Sequence, residues 1–265
     1  MPAGFNYNLN PDAVVEEICD VQTLHHKRGA YRLDTTGLTI GSKLPRFTPV
    51  KANLSTRMVE VVKNVSVAEA VAADATSFKI KKNSLAYVGM SLGAGANTAV
   101  VSAIDKTNAS YDTITLAAAF GEAVAAGTVL FEAVALVTGK TKAGTKDATT
   151  LDIAKNSGVK AGMSIVIGET TYKVTAVNTS DANKDVLTLS EGLAANVSAN
   201  TVFTEVQKSE PVKTANFVIY EETKVEEGIV LVALIMRAYE IQESKLVLPI
   251  SEKDKETLTD RFQFE

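Results

Sequence analysis

The chain has 265 residues, of which 46% are hydrophobic and 22% are charged, and these proportions are those of a folded globular protein rather than a disordered one. Its formal net charge of −4 argues against nucleic-acid binding as the main role, because that affinity comes largely from Lys and Arg side chains that neutralise phosphates. A single cysteine, Cys19, excludes an intrachain disulfide framework and a zinc site built from a cysteine cluster.

The kind of hydrophobic residue points to β-structure. Only 6% of the residues are aromatic and Trp is absent, so the apolar content is mostly Ala, Val, Leu and Ile. Small β-branched side chains fit the pleated surface of a sheet, which predicts an all-β fold of mainly antiparallel strands. The first residues lack the pattern of a secretory signal, and the apolar run 228–236 is less than half of the about 20 residues that span a membrane. We therefore expect no membrane partner.

The first predicted element is a short amino-terminal helix over residues 11–24. Asn10 is a good N-cap, Pro11 suits the first helical position, and apolar residues recur on one face. His25 and His26 follow directly. Adjacent side chains point apart on a strand and lie about 100° apart on a helix, so this pair does not favour a shared metal. We expect an exposed pair at the end of the helix.

The two ends of the chain are expected to form one domain. Strands are predicted at residues 31–33, 58–63, 216–220 and 229–241. We infer that the flanks, residues 1–76 and 208–265, pair into one β domain into which the central region is inserted. Three successive domains are the alternative. Near the carboxyl terminus, Ser251 and Asp254 have the spacing of a capping box, which predicts a short helix over residues 251–257.

The central region contains an internal duplication. Residues 78–133 align without a gap on residues 151–206, at an offset of 73 residues. About 20 of the 56 paired positions are identical, a level that indicates a duplicated structural unit. The clearest match is Gly89-Met90-Ser91 with Gly162-Met163-Ser164.

Each copy is predicted to be a small β module. In both copies a β-rich run is followed by a polar turn, a second strand and a closing strand, which is typical of an antiparallel barrel or a set of hairpins. The modules are residues 77–136 and 148–207. Residues 137–147 between them are rich in Gly, Lys and Thr without apolar periodicity, which predicts an exposed linker.

Two stretches resemble ligand-binding loops and depart from the required pattern. Gly139-Lys140-Thr141 resembles the end of a phosphate-binding loop, but Val134 stands where that loop requires a glycine. The stretch from Asp181 to Asp185 begins like a calcium loop, but its sixth position is Val186 rather than a glycine. A solvated linker and a hairpin turn are the favoured interpretations, with a weak calcium site left open for the second.

The remaining acidic residues do not predict catalysis. Glu221, Glu222, Glu226 and Glu227 surround Lys224 in a predicted hairpin loop, whereas glycoside hydrolysis requires two acids that face each other across a cleft. We therefore predict no enzyme, and we assign no catalytic, cofactor-binding or metal-binding residue.

Three stretches outside the modules form a recognisable combination. They are Leu44-Pro45-Arg46-Phe47-Thr48-Pro49-Val50, the run from Val230 through Glu240 to Leu246, and the segment from Pro249 to Lys255 that leads to Arg261-Phe262-Gln263-Phe264. With modules like residues 89–132 between them, they resemble the head fibre proteins of tailed bacteriophages and, more loosely, their capsid decoration proteins. The resemblance extends from Tyr31 to the end of the chain.

This resemblance implies a structural virion protein on the outer capsid surface, made in the host cytoplasm. Its expected partners are copies of itself, as a trimer, and the major capsid protein, with a host surface or glycan as a further candidate for the modules. The family assigns no binding residues, so none is predicted. A secreted or surface-bound carbohydrate-binding adhesion module is the alternative, and a hydrolase would require converging acids or a contribution from His25 and His26.

Overall fold

The protein is made almost entirely of β-strands. A computed structural model describes residues 18–95, 97–206 and 209–265, and these contain twenty strands in three six-stranded sheets and one two-stranded sheet. The all-β prediction is therefore confirmed. The chain divides into two compact units, Met1–Ala133 with Pro211–Glu265, and Val134–Glu210.

The first sheet combines strands from both ends of the chain and is called the flanking barrel. Its strands are β1 (Asp20–Leu33), β3 (Pro49–Asn53), β4 (Met58–Val61), β17 (Phe217–Ile219), β19 (Val230–Ile241) and β20 (Phe262–Phe264). The order is β1-β4-β3-β17-β19-β20, and β1 also pairs with β19, which closes five of the strands into a ring. Beside it, β2 (Lys43–Leu44) pairs with β18 (Thr223–Lys224).

The flanking barrel carries a hydrophobic cluster on each side of its wall. Strand β17 is buried on both sides, because Phe217 and Ile219 belong to an inner cluster with Val59, whereas Val218 joins an outer cluster with Phe47. The outer cluster is completed by residues of the carboxyl-terminal segment, which are Leu246, Ile250, Leu258 and Phe262. The barrel wall is therefore covered from outside by the end of the chain.

The predicted amino-terminal helix is not confirmed. Residues 11–17 lie outside the described residues, and β1 begins at Asp20. Ile18, Val21 and Leu24 do contact one apolar cluster, as the periodicity indicated. Their spacing of three arises because the pairing of β1 with β19 contains register shifts, so an irregular strand imitates one face of a helix.

The predicted carboxyl-terminal helix is confirmed as α1 (Glu252–Leu258). It is preceded and followed by single 3₁₀ turns, Glu243–Lys245 and Thr259–Arg261. The capping box is complete, with the Asp254 amide 3.2 Å from Ser251 Oγ and the Ser251 amide 3.0 Å from Asp254 Oδ2. No helix among the described residues is long and apolar enough to cross a membrane.

Asp254 also joins parts of the chain that are far apart in sequence. Only 1% of this residue is exposed, and its carboxylate accepts hydrogen bonds from Asn64 Nδ2 at 2.7 Å and from the Ala215 amide at 2.7 Å. Asn64 is where the chain leaves the flanking barrel, and Ala215 is where it returns. One carboxylate thus fixes both connections and the cap of α1.

The second sheet is the first inserted module. Its strands are β5 (Asn64–Ser66), β6 (Ser77–Lys81), β7 (Ser91–Ala94), β8 (Asn97–Asp105), β9 (Tyr111–Leu116) and β10 (Val129–Glu132), in the order β5-β10-β7-β8-β9-β6. An isolated bridge from Val67 to Ile80 links the two ends of this order, so the sheet forms a small barrel. The sequence placed residues 64–66 in the flanking domain, but they pair with β10 of this module.

The third sheet, the second inserted module, has the same strand order. Its strands are β11 (Thr138–Lys140), β12 (Thr150–Ala154), β13 (Ser164–Ile167), β14 (Thr170–Asn178), β15 (Lys184–Leu189) and β16 (Val202–Glu205), in the order β11-β16-β13-β14-β15-β12. The bridge from Thr141 to Ile153 links its two ends. Val134 and Glu210, at the limits of this unit, are joined by a backbone hydrogen bond of 2.9 Å.

The stretch predicted as a linker is a strand of the second module. Residues 138–140 form β11 and pair with β16, and Gly139 lies opposite Phe203. A Cβ atom at Gly139 would lie 2.5 Å from Phe203 Cζ. The glycine therefore provides space for the Phe203 ring and does not indicate a flexible backbone. In the first module the matching pair is Val65 and Leu130, so two side chains of medium size take the place of one small and one large residue.

We expect Gly139→Val to destabilise the second module by about 1–3 kcal/mol, because the added side chain overpacks the site against Phe203. Adding Phe203→Leu to this variant should restore most of the loss, since it recreates the pair found in the first module. Urea unfolding of both single variants and the double variant measures the coupling. Two effects that simply add would contradict the compensation.

We expect Asp254→Ala to lower the free energy of unfolding by about 3 kcal/mol or more, because four hydrogen bonds from buried groups are lost and each donor left unsatisfied costs about 1–3 kcal/mol. Asp260→Ala is the matched control, since Asp260 is exposed, and its effect should stay within about 0.5 kcal/mol. Urea unfolding followed by circular dichroism measures both. Equal effects of the two variants would contradict the role given to Asp254.

Candidate functional surfaces

Each inserted module holds its long polar loop with a lysine ammonium group. In the first module Lys82 Nζ donates to the carbonyl oxygens of Lys106 at 2.8 Å and Asn108 at 2.7 Å. It also forms an ion pair of 2.6 Å with Asp112, of which only 1% is exposed. Because the ammonium satisfies these oxygens together, it ties the loop between β8 and β9 to the end of β6.

The second module repeats this arrangement at matching positions. Lys155 Nζ donates to the Thr179 carbonyl at 2.6 Å and to Asp185 Oδ1 at 2.9 Å. The Asn156 amide donates to the other oxygen of Asp185 at 2.9 Å. The hydrogen bond and charge of Lys155 hold the pKa of Asp185 below its usual range. Asp185 is therefore the ionised partner of a lysine that closes the hairpin between β14 and β15.

In the stretch that resembles a calcium loop, from Asp181 to Asp185, the acidic side chains already have partners within the protein. Asp185 is engaged by Lys155, and Asp181 Oδ1 accepts a hydrogen bond of 2.7 Å from the Asn183 amide. The lysine places a positive charge where a calcium ion would need negative ligands. The hairpin-turn interpretation is confirmed. In the part of the chain that the structure describes, no three His, Cys, Asp or Glu side chains are grouped to hold a metal.

The two histidines lie on β1 and point to different partners, as expected for neighbours on a strand. His25 Nε2 contacts Arg237 Nη2 across the ladder to β19. The His26 ring meets Tyr220 edge to face, with the ring centroids 4.0 Å apart. The pair therefore does not converge on a common ligand, and its place is in a strand rather than at a helix end.

The four glutamates around β18 are exposed, and two of them form ordinary surface ion pairs. Glu222 pairs with Lys43 at 2.6 Å and Glu226 pairs with Lys224 at 3.1 Å. The solvated-loop interpretation is therefore confirmed for these residues.

A groove of about 550 Å³ lies within the first compact unit, between loop residues 37–45 of the flanking barrel and residues 83–87 of the first module. Its volume is in the range of small-ligand sites. Leu85 packs against the inner cluster of the flanking barrel. The Tyr87 hydroxyl donates to Glu132 at 2.6 Å, and Lys63 Nζ lies 4.4 Å from the centre of the Tyr87 ring. Burial, with the hydrogen bond to Glu132, raises the pKa of Tyr87 to about 12.

The sequence did not single out the residues of this contact, although a signal for them exists. At the positions of Leu85 and Tyr87, the second module carries Gly158 and Lys160. The duplicated units thus differ where the first module packs on the flanking barrel. A comparison of the two copies for unlike positions, rather than identical ones, would have marked this surface.

We expect Asp185→Asn to destabilise the second module at neutral pH and to remove part of its sensitivity to acid. The pKa of Asp185 is lowered in the folded state, so its stabilisation is present above the unfolded value of about 3.9 and is lost as the pH falls through the folded value. Hydrogen exchange of the second-module amides between pH 7 and 3, corrected for intrinsic rates, measures this change.

The matched control for this experiment is Asp181→Asn, because an asparagine at this exposed turn position can still accept the hydrogen bond from the Asn183 amide. The control should keep the wild-type dependence on pH. Equal acid sensitivity of the Asp185→Asn variant and the wild type would contradict the role of the ion pair.

Comparison with known proteins identifies the chain through one family model. The model described as head fiber protein matches residues 3–143, which is more than half of the chain. The matched range includes the amino-terminal strands of the flanking barrel and all six strands of the first module. No curated protein and no solved structure matches the chain significantly. The head fibre resemblance is therefore confirmed, and the chain belongs to the head fiber protein family of bacteriophages.

Proposed function

We propose that this protein is a non-enzymatic structural component of the virion, displayed on the outer surface of the capsid. Membership of the head fiber protein family carries this proposal, because a head fibre is by description a part of the phage head. In this proposal the flanking barrel attaches to the major capsid protein and assembles with two further copies into a homotrimer.

We further propose that the two inserted barrels are tandem copies of one unit. The same strand order, the bridges at Ile80 and Ile153, and the lysine–aspartate pairs at matching positions all support a common origin. The family match ends at residue 143, inside the second module, which supports treating that module as an addition to the family's common part.

The role proposed for the modules is display towards the host surface or a glycan. In both modules an internal lysine donates hydrogen bonds to the polar loop and holds it in place. The groove beside Tyr87 has the volume of a small-ligand site, which supports glycan contact at the first module.

The test is the composition of purified phage particles. We expect quantitative mass spectrometry to find the protein on particles, with the major capsid protein as the internal standard. A chain from which residues 134–210 are removed should be present on particles at an unchanged copy number, because attachment is assigned to the flanking barrel. The removal is possible since Val134 and Glu210, the two ends of the removed unit, are joined by a backbone hydrogen bond. Its particles should adsorb to host cells more slowly.

Two results would overturn the proposal. Absence of the full-length protein from particles would exclude a virion component, and binding of that free protein to a glycan array would then favour the adhesion module. Loss of the shortened chain from particles, despite normal folding of its flanking barrel, would move the attachment site into the second module.

A further inference from the structure

The flanking barrel carries a cluster of cationic side chains on β1 and the turn before β4. Lys27, Arg28 and Arg32 are on β1, and Arg57 is in the turn, where its Nη1 lies 3.8 Å from the position of a Cβ at Gly29. Among the residues that the structure describes, none of these four side chains has an acidic atom within 4.0 Å. Such a cluster is notable in a chain whose net charge is −4.

An acidic hairpin stands on the same barrel, at the amino-terminal end of β19. It consists of the four exposed residues Glu221, Glu222, Glu226 and Glu227. Two of them have lysine partners on the surface, whereas Glu221 and Glu227 form no ion pair within the described part of the chain. The basic cluster and the acidic hairpin therefore remain largely uncompensated within one copy.

Exposed apolar side chains lie between these two charged surfaces. Ile229 and Leu231 are 70% and 59% exposed, although the alternate residues Val230 and Val232 fill the barrel interior. Leu231 lies opposite Arg32 in the ladder between β1 and β19. The surface therefore runs from acidic, through apolar, to basic.

We propose that this surface, from the acidic hairpin across Ile229 and Leu231 to the basic cluster, binds a second copy of the same chain. The charges of one copy complement those of the next, because the glutamates of one barrel can face the arginines of its neighbour, with Ile229 and Leu231 beside both charged groups. This inference rests on the proposed function, since it names the interface of the homo-oligomer. Contact between two different patches closes into a ring when the rotation between copies allows it.

The experiment compares charge-reversed forms of the full chain by light scattering after size-exclusion chromatography. The variants are Arg28→Glu with Arg57→Glu, Glu226→Lys with Glu227→Lys, and all four changes together. Each pair should weaken association about 100-fold, because like charges then face each other, and the four changes together should restore it. All four positions are exposed, and circular dichroism checks the fold.

Lys142→Glu with Lys146→Glu is the matched control, since it reverses two exposed cations of the second module and should leave the oligomer unchanged. A second test uses the wild type alone. Its association should weaken as the ionic strength rises, because salt screens the attraction between the charged groups.

Three results would overturn this interface. The first is a wild type that stays monomeric at 100-fold above the concentration used for light scattering. The others are charge-reversed pairs that associate as tightly as the wild type, and a fourfold variant in which association is not restored. Reversed variants that stay oligomeric but leave the particle would assign the surface to the capsid instead. A monomer that is present on particles refutes the interface and the homo-oligomer, and leaves the proposed place on the capsid standing. Absence from particles refutes the function whatever the oligomeric state.

Discussion

A single buried carboxylate holds together the parts of this protein that the chain order separates. Asp254 accepts hydrogen bonds from Asn64, 190 residues away, and from Ala215, while it also caps α1 through Ser251. A carboxylate that is almost fully removed from water must be met by donors, so its position fixes theirs. The point where the chain leaves the flanking barrel, the point where it returns and the helix that covers the barrel are therefore set by one group.

The two inserted barrels show how one frame accepts different interiors. Both have the same strand order and the same lysine–aspartate pair. Inside, the pair Val65 and Leu130 of the first module corresponds to Gly139 and Phe203 of the second. A large residue is tolerated when its neighbour becomes small, because the core requires a filled volume rather than particular side chains. On the surface, Leu85 packs against the inner cluster of the flanking barrel, and Lys63 lies over the ring of Tyr87.

Much of this architecture was readable from the sequence, for physical reasons that also mark the limits. Alternating residues and polar turns reveal hairpins such as β14–β15, and the capping box of Ser251 and Asp254 reveals α1, because these signals are local. The partners of Asp254 leave no local signal. Gly139 allows close contact with Phe203, but in the sequence a glycine required for packing looks the same as a glycine in a flexible linker. The irregular register of β1 likewise imitates a helix.

The first module and the flanking barrel form one compact unit, whereas residues 134–210 form another. Hydrogen exchange of the whole chain at low urea concentrations tests this division most directly, because amides that open together share one free energy. We expect one opening free energy for β5–β10 together with the flanking barrel and a different one for β11–β16. A first module that opens together with the second, and separately from the flanking barrel, would contradict it.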